Sequence, residues 1–194
     1  MGLLNKVSKW RQKARTYQSF ILVLTLTLSS AGLAASSKKS WQNTPTPEDW
    51  SSFFESSDKD RLKTWDHIKT YGLTFEDLSW EWRLGWVRAC TAASSKVCSD
   101  IMQLGLFDKA LVVRAEAATR LGQRFAGTGH PPALRLLKTA YAVQQNSRSK
   151  EPLFVQYRIL SALNQIGGEG SAIGKQLSMN SQRMNNYWTR IASK

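Results

Sequence analysis

Histidine and cysteine are nearly missing from this chain, and each scarcity removes a class of chemistry. Two histidines occur in 194 residues, His67 and His130, far apart and at no ligand spacing. A zinc site needs a closer set of donors, so no metal and no other cofactor is expected. The two cysteines, Cys90 and Cys98, lie in RACTAASSKVCSD. In an oxidising compartment an even, closely spaced pair predicts a disulfide. Ser94 and Ser95 predict a helix break between them. The two cysteines would then flank a helix corner, within the roughly 7 Å between Cα atoms that a bridge can span. Strand patterning is absent too: no stretch sustains the alternation of a half-buried strand.

Acidic residues are absent from the first 34 positions, where Lys6, Lys9, Arg11, Lys13 and Arg15 fall. This basic leader precedes FILVLTLTLSSAGLA, an apolar run of signal-peptide length ending in small residues. Gly32 and Ala34 occupy the positions a signal peptidase reads, so cleavage is expected between Ala34 and Ala35. The strongly apolar part, Phe20 to Leu28, is shorter than the roughly twenty residues that cross a bilayer. Export to a periplasmic or extracellular space is therefore expected. The alternative is an uncleaved N-terminal anchor, which would be the one route to membrane association. Without the leader, 22 basic and 14 acidic residues remain, a net charge of +8. Such an excess bears on solubility and encounter with anionic partners, and it says nothing of the reaction performed.

What the chain does contain is a succession of helical patterns. After a Ser/Thr/Lys/Pro-rich stretch (35–46), expected to be a flexible tether with Trp41 as its exposed aromatic or, as the alternative, folded back onto the domain, Thr46-Pro47-Glu48-Asp49 has the composition of a helix start. The helix it opens carries Trp50, Phe53 and Phe54, and the next places Leu62, Trp65 and Ile68 at helical spacing before Gly72. These two form an N-terminal helical cap over 47–73. Thr74 with Asp77 resembles a capping box. In the helix that follows, Leu78, Trp82, Trp86, Ala89 and Ala93 share a face, with Glu81, Arg83 and Arg88 off it. Further helices are predicted over 96–106, 110–124, 131–145, 152–166, 171–177 and 181–192. The fold class is all-α.

One pattern recurs. Val113-Arg114 is followed by Ala117, Ala118, Leu121 and Phe125, and about 42 residues on Val155-Gln156 is followed by Ile159, Leu160, Leu163 and Gly167. A fainter copy begins at Val87-Arg88-Ala89. The stretch DKALVVRAEAATRLG resembles the HEAT-like repeat family through Asp108, Val113, Arg114, Ala117, Ala118, Leu121 and Gly122. The second copy departs from it at Gln156 and Asn164. The resemblance covers about half the chain. It implies a short right-handed α-solenoid of stacked antiparallel helix pairs over 74–194, because such units bury their apolar faces only against neighbours. The aromatic helices from Trp50 to Trp86 would cover one end, and Tyr187, Trp188 and Ile191 the other.

Reactive constellations are missing. Asp66 and His67 are adjacent, and neighbours on a helix do not face each other. His130 precedes Pro131-Pro132 and reads as a solvated loop histidine. FAGTGHPP and IGGEG lack the Lys-Ser/Thr of a phosphate loop, and no serine stands in a nucleophile elbow. Trp82 and Trp86 share a core face, so stacking on sugars or bases is not expected of them. The chain is thus expected to be non-enzymatic, an interaction or scaffold module with another protein as partner. The alternative is a basic helical module that binds nucleic acid, against which export argues, or an anionic envelope polymer. In the resemblance, the second helix of a pair lines the binding side. Here that helix is PPALRLLKTAYAVQ, with Leu134, Leu137 and Tyr141 inward and Arg135 and Lys138 outward. Together with Lys175, these cations are the candidate binding strip.

Overall fold

The structure is a computed structural model that describes residues 38–91, 95–143, 146, 152–179, 182, 186, 189 and 190. The leader and its Ala34–Ala35 cleavage point, the Ser94 break, and the end-covering Tyr187, Trp188 and Ile191 lie outside the described residues. Among those residues there are nine α-helices and no strand. They are α1 (Lys38–Gln42), α2 (Pro47–Glu55), α3 (Asp58–Thr70), α4 (Trp80–Ala89), α5 (Lys96–Leu106), α6 (Leu111–Arg124), α7 (Pro131–Ala142), α8 (Pro152–Ile166) and α9 (Glu169–Met179), with a 3-10 turn at Phe75–Asp77.

Side-chain caps start most of these helices. At α2 the Asp49 N–H donates to Thr46 Oγ1 (3.2 Å) and the Thr46 N–H to Asp49 Oδ2 (2.9 Å), a reciprocal box with Pro47 in the first turn. Ser57 and Ser95 accept from the third amide of α3 and α5. Thr74 and Asp77 do pair, through the Thr74 N–H to Asp77 Oδ2 at 2.8 Å, but they close only the 3-10 turn. Ser79 is the cap of α4, so the helix expected to begin near Thr74 begins at Trp80.

Aromatic packing decides the N-terminal third. Trp82 lies at the centre of a cluster with Trp41 (4.5 Å between ring centroids) and Phe53 (5.6 Å), while Trp86 meets Phe53 (4.9 Å) and Trp65 (5.1 Å). The expectation of a flexible tether with an exposed Trp41 is corrected here for 38–46. Trp41 is 6 % exposed. Its carbonyl accepts from the Ser79 N–H (3.0 Å), Trp82 Nε1 donates to the Ser40 carbonyl (3.3 Å), and Thr44 Oγ1 donates to Glu81 Oε1 (3.1 Å). An indole buries 150–250 Å² of surface, the largest apolar gain that this polar stretch offers, and its neighbours' hydrogen bonds fix the rest.

Further along, alternate helices pack in succession, α4 against α6 and α6 against α8. Their burial repeats in register. Trp82, Arg83, Trp86, Val87 and Cys90 on α4 and its cap are buried. So are Val113, Arg114, Ala117, Ala118 and Leu121 on α6, and Val155, Gln156, Ile159, Leu160 and Leu163 on α8. The faint copy is therefore placed at Trp82-Arg83, and Arg83, expected off the apolar face, is inside. Small residues let the backbones approach. A Cβ on Gly122 would stand 2.8 Å from Ala162 Cα, and one on Gly105 would stand 2.8 Å from Val87 Cγ2 and 3.0 Å from Ala117 Cβ. The remaining helices flank this row: α5 packs on α4 and α6, α7 on α8, and α9 on α8.

Candidate functional site

Buried polar side chains connect the helices of the row. Arg83 clasps Asp108 in a two-bond fork, Nε to Oδ2 at 2.6 Å and Nη2 to Oδ1 at 3.0 Å, and Nη1 donates to the Leu78 carbonyl. Asp108 Oδ1 also accepts the Ala110 N–H (2.6 Å), at the start of α6. One helix on, Arg114 Nη1 donates to the Asp108 and Lys109 carbonyls (2.7 and 3.1 Å), while its Nε donates to Asn146 Oδ1 (2.6 Å). Asn146 Nδ2 donates to the Ala140 carbonyl (2.6 Å). Arg–Asx links of the same kind thus tie α4 to the turn before α6, and α6 to Asn146, which lies between α7 and α8 in the chain. At α8 the position belongs to Gln156, whose Nε2 donates to the Tyr141 carbonyl (3.5 Å). Burial pulls the Arg114 guanidinium below its ordinary value, with Asp108 acting the other way. A guanidinium stays charged in any case. The Asp108 carboxylate is buried and committed to Arg83 and to an amide. Its oxygens are therefore occupied in joining α4 to the start of α6. Arg83 and Asn146 were not singled out from the sequence. The signal was there for Arg83, since Trp82-Arg83 with Trp86, Val87 and Cys90 repeats Val113-Arg114 with Ala117, Ala118 and Leu121.

The candidate strip stands on the outside of the molecule. Arg135 and Lys138 are exposed on α7, opposite the buried Leu134, Leu137 and Tyr141. Neither makes an ion pair with another described residue. Lys175 is exposed on α9 and borders a groove of about 370 Å³ with Leu160, Asn164, Ser171, Gly174 and Ser178. In that groove Ser171 Oγ donates to Asn164 Oδ1 (2.9 Å) and Ser178 Oγ to the Lys175 carbonyl (2.8 Å). Tyr141, whose phenol burial pushes up, donates to the Leu177 carbonyl at 3.4 Å and so links α7 to α9. No hydrogen bond or ion pair joins Lys175 to Arg135 or Lys138 among the described residues. The pairing expected for α7 is also different: its principal partner is α8, so the cations of α7 flank the α4–α6–α8 row and do not belong to it.

The histidines and glycines have structural occupations. Asp66 pairs with Lys69 (2.7 Å) and His67 meets the edge of Tyr71, so the two make no dyad. His130, expected as a solvated loop residue, is half-buried. Its Nδ1 accepts the Ala133 N–H (3.3 Å) as the cap of α7, and its ring stacks on Phe125 at 4.0 Å. The Gly127 and Gly129 amides donate to the Gln165 and Ile166 carbonyls (3.0 and 2.9 Å), closing the C-terminal end of α8. Both have positive φ, as do Gly167 and Gly168 opposite them, a conformation that other residues adopt at a cost. FAGTG and IGGEG are therefore two turns that interlock.

Cys90 and Cys98 sit at disulfide distance, with Cα atoms 4.9 Å apart, and both are buried. Among the described residues no cluster of His, Cys, Asp and Glu is arranged to hold a metal ion, and no helix is long and apolar enough to cross a membrane. No protein-family profile matches the chain, and comparison with curated proteins and with solved structures finds no similar one.

Proposed function

We propose that this chain is an exported, non-enzymatic interaction module, a short right-handed α-solenoid of HEAT-like helix pairs whose partner is another protein. The observation that carries the reading is the buried register shared by α4, α6 and α8, with its Arg83–Asp108 and Arg114–Asn146 links at successive boundaries. Stacked units of this kind expose long side-chain surfaces and have no need of a reactive centre. The basic leader and short apolar run support export, and the cysteine pair suits an oxidising space. Recovery of partners from an envelope fraction, with mass spectrometry, tests the reading. A specific partner should be retained by the parent protein and lost when the fold is disrupted. Turnover of a small-molecule substrate by the purified protein would refute it.

A second reading is kept because Arg135, Lys138 and Lys175 are exposed cations without ion-pair partners among the described residues. They would suit an anionic envelope polymer or nucleic acid. Retention on heparin that falls steeply with salt, and that disappears on Arg135→Glu with Lys138→Glu, would favour it over a protein partner.

A further inference from the structure

Resting on the stacked-helix reading, we infer that the outward face of the α4–α6–α8 row is the docking surface, and that it takes an extended protein segment carrying apolar side chains beside carboxylates. Register places the residues. One position before the buried anchors Val113 and Val155 stand Val112, 41 % exposed, and the half-buried Phe154. Three positions after those anchors stand Glu116 and Arg158. On α4 the equivalent of Glu116 is Gly85, and there the face is covered: a Cβ would stand 2.6 Å from the Trp50 ring. Trp50 is stacked on Phe54 (5.2 Å between centroids, 4° between planes), which is 43 % exposed. Among the described residues the row is thus closed by an aromatic wall at α4 and exposed at Val112 on α6 and Arg158 on α8. The outward residues of α4 and α6 face one side, since Arg88 on α4 reaches Glu116 on α6 (3.1 Å).

Charge selects the occupant. Glu116 is already held by Arg88 and by Arg120 (2.8 Å). Arg158 lies over the Phe154 ring, 5.6 Å from its centroid, and has no ion pair among the described residues. A carboxylate answers the Arg158 guanidinium, and apolar side chains answer the exposed Val112 and Phe54 beside the half-buried Phe154. A phosphate polymer would satisfy the cations and leave Val112 unmatched.

The test uses the purified protein and three fluorescein-labelled peptides, followed by anisotropy: one alternating Leu with Asp, one alternating Leu with Lys, and one alternating Ser with Asp. The Leu/Asp peptide should bind at least tenfold tighter than either control. Val112→Asp and Arg158→Glu, both exposed and checked for unchanged helicity, should each weaken it at least tenfold, while Arg135→Glu with Lys138→Glu should not. No binding, equal binding of the Leu/Lys peptide, or indifference to the two substitutions overturns the inference. A homodimer in sedimentation that Val112→Asp dissolves would also overturn it, by making a second copy the occupant. If envelope partners are still captured by Val112→Asp but lost through Arg135 and Lys138, the interaction role stands and this surface does not.

Discussion

Truncating Asp108 to alanine is the sharpest test of how the row is held together. The Arg83 and Asp108 side chains are each 2 % exposed. Asp108→Ala would therefore leave a guanidinium in the core with only the Leu78 carbonyl, and the Ala110 amide without its acceptor. Three hydrogen bonds to the carboxylate disappear, two from Arg83 and one from the Ala110 amide. Bonds to a charged group contribute about 1.5–3 kcal/mol each, and breaking a buried pair by removing one partner costs about 3–5 kcal/mol net. With a urea slope of about 2 kcal/mol/M, the unfolding midpoint should fall by about 2 M. Circular dichroism at the helix band follows the transition, with an unchanged slope as the check that it remains two-state. Asp100→Ala, which breaks the exposed pair to Lys96, should shift the midpoint by under about 0.5 M, because such pairs contribute about 0–1 kcal/mol. Replacing both partners, Arg83→Met with Asp108→Leu, should recover most of the loss. An Asp108→Ala midpoint within about 0.5 M of the parent would refute the argument, since the link would then hold nothing.

Three further outcomes follow from the packing. Gly122→Ala should destabilise by about 1–3 kcal/mol in the same assay, because its methyl meets the Ala162 backbone. Ala118→Leu, at a fully buried position, should cost about 1–3 kcal/mol, while Thr119→Leu at a half-buried one should be close to neutral; equal effects would mean that the phase of α6 is misassigned. Alkylation of unreduced protein should label neither Cys90 nor Cys98, and replacing the pair by serine should cost about 2.5 kcal/mol in the chain-entropy account of a short loop.

The helices were legible because their apolar residues recur locally: Leu134, Leu137 and Tyr141 lie on one side of α7 whatever surrounds it. Ends were less legible. The helix expected over 171–177 runs from Glu169 to Met179, since Gly170 sits against the Leu163 carbonyl and keeps helical geometry for reasons of fit. Arg83 was misplaced because a local window scores a cation as exposed. Its burial is tolerable only through Asp108, which lies beyond any such window. Whether Trp41 is exposed or folded back is open in the sequence for the same reason, as its ring partner Trp82 belongs to another helix. The candidate strip was legible as exposed charge, but which helix α7 packs on depends on how α8 meets it. Hydropathy does not carry that information.

The interlocked glycine turns have a consequence for how the molecule opens. An isolated helix frays from its last turn outward, exposing a few carbonyls at little cost. At α8 those carbonyls are held by the Gly127 and Gly129 amides, which belong to the turn after α6. Fraying at α8 therefore has to open a turn far away in the chain, and the two events become one. Amide hydrogen exchange at Gly127 and Gly129 would then report the same opening free energy as the last turn of α8, so that two glycines in a surface turn exchange at the pace of a helix end elsewhere in the sequence.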